Sequence, residues 1–427
     1  MTDAVRVGLL GCGNVGSALV KLLVDDPEAL SARTGLRLEL TRIAVHSAAK
    51  ERQVPVPASM FTADAFEVVS ADDVDVVVEV IGGIEPARSL ILEALKHGKP
   101  VVTGNKELVA NVGEELFGAA AAAGVDLLFE AAVGGGIPLI RPLRESLAGE
   151  EIHRVIGIVN GTTNYILTKM TEDGAQYADA LAEAQSLGFA ERDPTADVEG
   201  YDAAAKAAIL AGIAFGVKVV AGDVYREGIS AVSAADIAFA TRLGYVVKLL
   251  AVAERIDGKV AVRVHPAMIP STHPLAAVRE SFNAVFIEGQ AVGELMLYGR
   301  GAGGMPTASA VLGDLIDAAH NLSAGGAGRT VSLTPASLRP IDDLVSQYYL
   351  NIEVADRPGV LAAVAGVLGD HGVSIRSMEQ EGLGGEARLI FITHRARERD
   401  MQATIAALRE LDSVDRIGSL LRVIGPE

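Results

Sequence analysis

Apolar and polar positions change their rhythm several times along the chain. Over residues 5–129, short runs that are apolar almost throughout, at 5–10, 36–45, 74–81, 100–103 and 125–129, alternate with stretches rich in Ala and Leu. Runs without polar alternation suit parallel strands covered by helices on both faces. This region therefore predicts an α/β, doubly wound sheet. Residues 134–304 mix longer strands, at 154–160 and 259–265, with helices at 177–187, 201–215 and 234–250, which reads as an α+β domain. Between His320 and Gln347 the pattern lapses into Gly, Ser, Thr and Pro, the composition of a linker. The last region gives strand, helix, strand, strand, helix, strand over 348–354, 360–370, 373–379, 387–394, 401–410 and 414–423. That is the ferredoxin-like split βαβ order. The expected divisions are 1–133, 134–304, a returning helix and linker over 305–347, and 348–427.

Composition narrows the class. The chain has 427 residues, half of them hydrophobic, and a formal charge of −18. Such a charge repels nucleic acid and anionic membrane surfaces, so neither partner is expected. Cys12 is the single cysteine, which forbids an internal disulfide or a Cys-rich metal site and suits a reducing compartment. The N-terminus enters an apolar strand at once, with no basic leader. Apolar stretches such as 207–217 fall short of the roughly 20 residues of a membrane helix. A cytoplasmic protein is expected.

Gly11-Cys12-Gly13-Asn14-Val15-Gly16 follows the first predicted strand and precedes an amphipathic stretch. In that position the glycines allow a tight turn, close approach of backbone to a pyrophosphate, and close packing of helix on strand. The helix N-terminus then faces the phosphate charge. This predicts a Rossmann-type dinucleotide site. The second strand ends Ala44-Val45-His46-Ser47 with Lys50 and Arg52 beyond. No acidic residue stands at its tip to grip a ribose 2′-hydroxyl, which favours NADP(H) and leaves NAD(H) open. The two basic residues could equally be a solvated loop, and Glu39 lies within the strand. Glu79-Val-Ile-Gly82-Gly83 and Thr103-Gly104-Asn105-Lys106 fall where further strands end, at the crevice where open α/β sheets bind ligands. Lys106 is thus placed near cofactor and substrate.

The segment 188–206 carries the densest chemistry. Asp202 and Lys206 are four apart, so a helix puts them on one face. Over 203–217 Lys206 is the only charged residue, and a helix with almost no polar face is buried. A lysine there costs desolvation energy unless a partner or polar cavity receives it, the setting in which ammonium groups transfer protons. Lys206 is the candidate general acid-base residue. Glu191 and Asp202 supply carboxylates for the ammonium of an amino-acid substrate. Asp193 and Asp197, beside Pro194, either join them or cap the helix and sustain the loop.

With these residues in view, the chain resembles the homoserine dehydrogenase family over nearly its whole length. The family signature is similar to residues 190–206, with Asp193-Pro194, Asp197, Gly200, Asp202 and Lys206 in place. Its Asn-Gly-Thr-Thr-Asn-Tyr-Ile-Leu element stands at 160–167 and its Gly-Ala-Gly-x-x-Pro-Thr-Ala element at 301–308. The resemblance implies direct hydride transfer between nicotinamide and substrate, interconverting L-homoserine and L-aspartate 4-semialdehyde. It implies that Lys206 moves the proton, Lys106 positions or polarises the substrate, Glu191 and Asp202 hold homoserine, and Gly188 and Gly303 approach the cofactor. It also implies a sodium or similar monovalent cation at Glu130, Val133, Gly135 and Ile137. The run Gly134-Gly135-Gly136 would equally serve as a hinge. At least a homodimer is implied, or a homotetramer.

Asp356-Arg357-Pro358-Gly359-Val360-Leu361, followed by Gly372-Val373-Ser374-Ile375, looks like an ACT domain, which implies threonine as effector; a dimerisation module is the other reading. A semialdehyde dehydrogenase needs a nucleophilic cysteine in its substrate site, and Cys12 lies in the dinucleotide turn. A reductase of another amino or hydroxy acid, or a non-catalytic sensor of NAD(P) and amino acids, are the remaining readings. With the Rossmann strand first and the ACT-like segment last, a monofunctional enzyme is expected.

Overall fold

The computed structural model describes residues 4–47, 52–382 and 384–425. The chain gathers into two compact units, Met1–Val155 with Ala205–Asp223 and Asn283–Ala336, and Ile156–Ala204 with Val224–Phe282 and Ser337–Glu427.

In the first unit, β1 (Val5–Leu10), β2 (Leu38–Ala44), β3 (Phe61–Thr62), β4 (Val76–Glu79), β5 (Val101–Thr103) and β6 (Leu127–Leu128) form a parallel sheet. Its order is β3-β2-β1-β4-β5-β6. Val7, Leu9, Val76, Val78 and Val102 pack against Leu19 and Val20 of helix Asn14–Val24 and against Val311 and Leu315 of helix Gly304–Ser323. Such apolar strands are stable only when both faces are covered. The strand order reverses between β1 and β4, which opens a crevice at their C-terminal ends.

In the second unit, strands Tyr245–Ile256 and Lys259–Pro270 pair antiparallel and turn at Asp257 and Gly258, both with positive φ, as a two-residue Asp-Gly hairpin requires. Here the structure corrects the helix expected over 234–250. The helix is Ala234–Arg242, with a capping box between Ser233 and Asp236. Gly244 then turns the chain with φ 79°, and residues 247–253 are a strand buried throughout. An apolar run buried on both faces has no period by which to tell strand from helix.

The terminal module has strands Val345–Ala355, Ile375–Gly382, Glu386–Thr393 and Val414–Val423 and helices Val360–Asp370 and Glu398–Arg409. Its strand sequence across the sheet is fourth, first, third, second, over a core that includes Tyr348, Leu350, Val364, Leu368, Phe391 and Met401. Val414–Val423 also pairs in parallel with Lys259–Pro270, at Ala267 to Arg422 and Met268 to Val423. Arg422, 1% exposed, donates to both oxygens of Glu398 at 2.9 and 2.6 Å and to both of Glu227 at 2.9 Å. Among the described residues no helix is long and apolar enough to cross a membrane.

Candidate active site

The dinucleotide turn is built from contacts that only glycine permits. Gly11 has φ 99°, and a Cβ there would lie 2.8 Å from the Val80 carbonyl oxygen. A Cβ on Gly16 would lie 2.1 Å from the Gly11 carbonyl oxygen. Space beside Gly13 is open, and no side chain caps the helix that starts at Asn14. Its first N–H groups are therefore available to an anion. Helix Gly304–Ser323 also begins without a side-chain cap. A Cβ on Gly304 would lie 2.9 Å from the Asn14 carbonyl oxygen, so Gly303, with φ 122°, stands beside the turn. The residues present fit a dinucleotide diphosphate.

At the tip of β2, Phe61 and Thr62 pair with Ile43 and Ala44, and the Arg52 guanidinium lies 5.4 Å from the Phe61 ring centre. Lys50 lies outside the described residues. Glu39 pairs with Arg6 near the start of the strand, far from the crevice end.

Glu79 closes β4 without any exposure. Its carboxylate accepts from Thr103 Oγ1 at 2.5 Å and from the backbone N–H groups of Ile81 and Gly82 at 2.7 and 3.2 Å. Burial pushes its pKa up, against these hydrogen bonds. Asn105 caps helix Lys106–Ala123 by accepting from Leu108 N–H at 3.1 Å and donates to the Gly83 carbonyl at 2.6 Å. Half-buried Lys106 is the first residue of that helix.

The glycine-rich loop follows β6. The Glu130 carboxylate accepts from the backbone N–H groups of Leu139, Ile140 and Arg141, the last two at 2.7 and 2.8 Å. It therefore serves a helix start. The loop's backbone N–H groups donate to the carbonyls of Phe129, Glu130, Gly134 and Arg300 and, among the described residues, not to those of Val133, Gly135 or Ile137. A cation held here would meet main-chain oxygens rather than the Glu130 carboxylate, and the described residues hold no cluster of His, Cys, Asp and Glu suited to a metal.

The second unit assembles the carboxylates. Asn160 caps helix Gly161–Glu172 by accepting from Thr163 N–H at 2.8 Å. Its amide donates to Asp197 at 2.7 Å and to Asp202 at 2.9 Å. Asp202 is buried. Thr162 Oγ1 donates to the Phe189 carbonyl at 2.7 Å, which holds the 188–191 turn against the same helix start, with Gly188 and Glu191 exposed. Asp193 instead accepts from Thr195 N–H and Oγ1 at 3.1 and 2.6 Å, the local turn reading. Asp202 and half-buried Lys206 lie one turn apart on helix Tyr201–Phe215. The sequence signal for Asn160 is its place as an N-cap in Asn-Gly-Thr-Thr.

A cradle for a diphosphate, and a helix bearing a lysine one turn from a fixed carboxylate, are what a nicotinamide-dependent oxidoreductase needs from its protein. The comparisons agree. Models described as homoserine dehydrogenase, its NAD-binding domain and the ACT domain match residues 138–316, 11–130 and 348–413. Homoserine dehydrogenase of Corynebacterium glutamicum is 51% identical, covering 99% of this chain and 96% of that protein. The chain belongs to the homoserine dehydrogenase family. A homoserine dehydrogenase from Thiobacillus denitrificans superposes with a TM-score of 0.93 at 41% identity, covering 99% and 98%. A hyperthermophilic archaeal homoserine dehydrogenase, solved with NADPH, gives 0.65 at 30% identity, covering 77% of this chain and all of that one.

Proposed function

We propose that this enzyme interconverts L-aspartate 4-semialdehyde and L-homoserine, with Lys206 as the proton-transferring residue. The observation that carries the reading is the Asn160 amide holding Asp197 and Asp202 one helical turn from Lys206. NADP(H), when bound, supplies or takes the hydride at its nicotinamide. Gly11, Gly13, Asn14, Val15 and Gly16 would receive its diphosphate, and Gly188 and Gly303 would approach the cofactor. Glu191 and Asp202 hold the substrate ammonium, and Glu191 also borders the cofactor. Lys106 would position or polarise the substrate carbonyl. Lys206 donates a proton to the carbonyl oxygen during reduction and takes it back during oxidation, and the reaction needs no covalent enzyme intermediate.

Arg52 beside the tip of β2 supports a preference for NADP(H), since a guanidinium there meets a 2′-phosphate. Glu130, Val133, Gly135 and Ile137 would hold a monovalent cation by their main-chain oxygens, which would stiffen the loop. The module over 348–427 senses an amino acid, threonine in our reading, and the protein works in the cytoplasm as a homodimer or homotetramer. The division 1–133, 134–304, 305–347 and 348–427 remains our functional partition.

Homoserine-dependent reduction of NADP+ and NAD+ by the full chain, with and without threonine, tests this. Wild type turns over, and Lys206→Met loses ~10²–10⁴ in kcat while still binding cofactor. Normal turnover by folded Lys206→Met removes that lysine from the reaction, and no wild-type turnover with either cofactor rejects the substrate.

A further inference from the structure

Asn283 lies on the strand Phe282–Gly289 and is 1% exposed, yet neither its amide nitrogen nor its amide oxygen meets a protein partner. Buried polar groups are nearly always satisfied, and the orphaned amide oxygen points to something outside the chain that meets it. The amide lies against Gly301, where a Cβ would fall 2.0 Å from Asn283 Cγ and Nδ2 and 2.4 Å from Oδ1. Gly301 in turn abuts Gly135, whose Cβ would fall 2.4 Å from the Gly301 carbonyl oxygen, and Gly136 N–H donates to the Arg300 carbonyl at 3.1 Å. One glycine therefore separates the orphaned amide from the loop whose carbonyls at 133, 135 and 137 receive no backbone hydrogen bond among the described residues.

We propose that the Asn283 amide oxygen is a further ligand of the monovalent-cation site on that loop. The inference rests on the cation reading above. The charge of the surroundings suits a single positive charge. The Glu130 carboxylate is engaged with three backbone N–H groups. Asp314 accepts from Glu130 N–H at 2.7 Å and from Arg141 at 3.0 Å. That leaves neutral carbonyl and amide oxygens, which suit a hard cation of low charge better than a transition metal. Gly301 leads through Gly303 to Gly304 against the Asn14 carbonyl, so filling this site also steadies the dinucleotide turn.

The test is the melting temperature of the full chain as sodium chloride replaces choline chloride at constant ionic strength, with NADPH affinity followed by its fluorescence. Wild type is stabilised saturably by sodium and binds NADPH more tightly in it. Asn283→Leu, which keeps the shape and removes the oxygen, raises the half-saturating sodium concentration ~10-fold or more. Asn283→Asp lowers it, because the oxygen gains charge, and this variant decides the matter if the leucine variant does not fold. Half-saturation within about twofold of wild type in the folded variants overturns the role of Asn283 and leaves the loop reading standing. Absence of any saturable sodium effect in wild type overturns both.

Discussion

Two lysines occupy apolar elements, and burial treats them differently. Lys206 is half-buried on its helix. Lys248 is 2% exposed and donates to Asn164 Oδ1 at 2.9 Å and to the Val278 carbonyl. Burial pushes Lys248 down to about 8, with Glu172 opposing and Arg279 reinforcing the shift. The folded chain therefore binds fewer protons than the unfolded chain between pH 8 and the ordinary lysine value of 10.5, so stability rises with pH across that window. Below it the charging penalty, about 3 kcal/mol, is present in full. Lys248→Met removes the penalty, so the melting temperature of wild type should gain on the variant's from pH 7.5 to pH 9.5 in paired scans. A constant gap would mean that the amine stays charged throughout. Lys206 was legible in the sequence because it stands alone in an apolar run. Lys248 was hidden in a segment read as helix, and Asn160 needed the tertiary meeting of residues 37 and 42 positions away.

Elements were legible where period and length both spoke. Helices Tyr201–Phe215 and Val360–Asp370 and strands Val5–Leu10 and Val414–Val423 begin and end where the pattern places them. β3 escaped because two residues carry no period, and Tyr245–Ile256 because a strand buried on both faces mimics a buried helix. The dinucleotide turn was read from its glycines, and the structure gives Gly11 and Gly16 a steric cause. Gly16→Ala is the sharpest probe at this scale, since its Cβ must displace the Gly11 carbonyl backbone. Overpacking of this kind costs ~1–3 kcal/mol, and here it falls on the turn itself. NADPH affinity should drop about tenfold or more, measured by fluorescence titration, with the far-UV circular dichroism of the full chain unchanged. Unaltered affinity would place the diphosphate elsewhere.

Within the second unit, the terminal module and the substrate segment share buried polar contacts. Arg422 joins Glu398 of the module to Glu227. The chain from Glu227 runs through Ile229, whose N–H donates to the Val198 carbonyl at 2.8 Å, and Ser230, which donates to Glu199 at 2.7 Å. Asp236 accepts from Tyr349 at 3.0 Å, Asn351 at 2.8 Å and Ser419 at 2.8 Å. Neither cluster was visible in the sequence, since each assembles residues more than a hundred positions apart. Arg422→Met strands two carboxylates and should destabilise the fold by ~3–5 kcal/mol, read as a shift in urea midpoint. A loss under ~1 kcal/mol would mark the ion cluster as solvated.

The parallel seam between Lys259–Pro270 and Val414–Val423, extended by the Ile424 N–H to the Met268 carbonyl at 2.9 Å, bears on how the chain can be cut. The terminal module is not a detachable cassette. Truncation before Gln347 would lay bare the edge of the Lys259–Pro270 strand and leave Glu227 without its arginine, inviting strand-to-strand aggregation. A shortened form fit for the laboratory or for evolution must therefore redesign that edge, and the module is better altered by point substitution than by amputation.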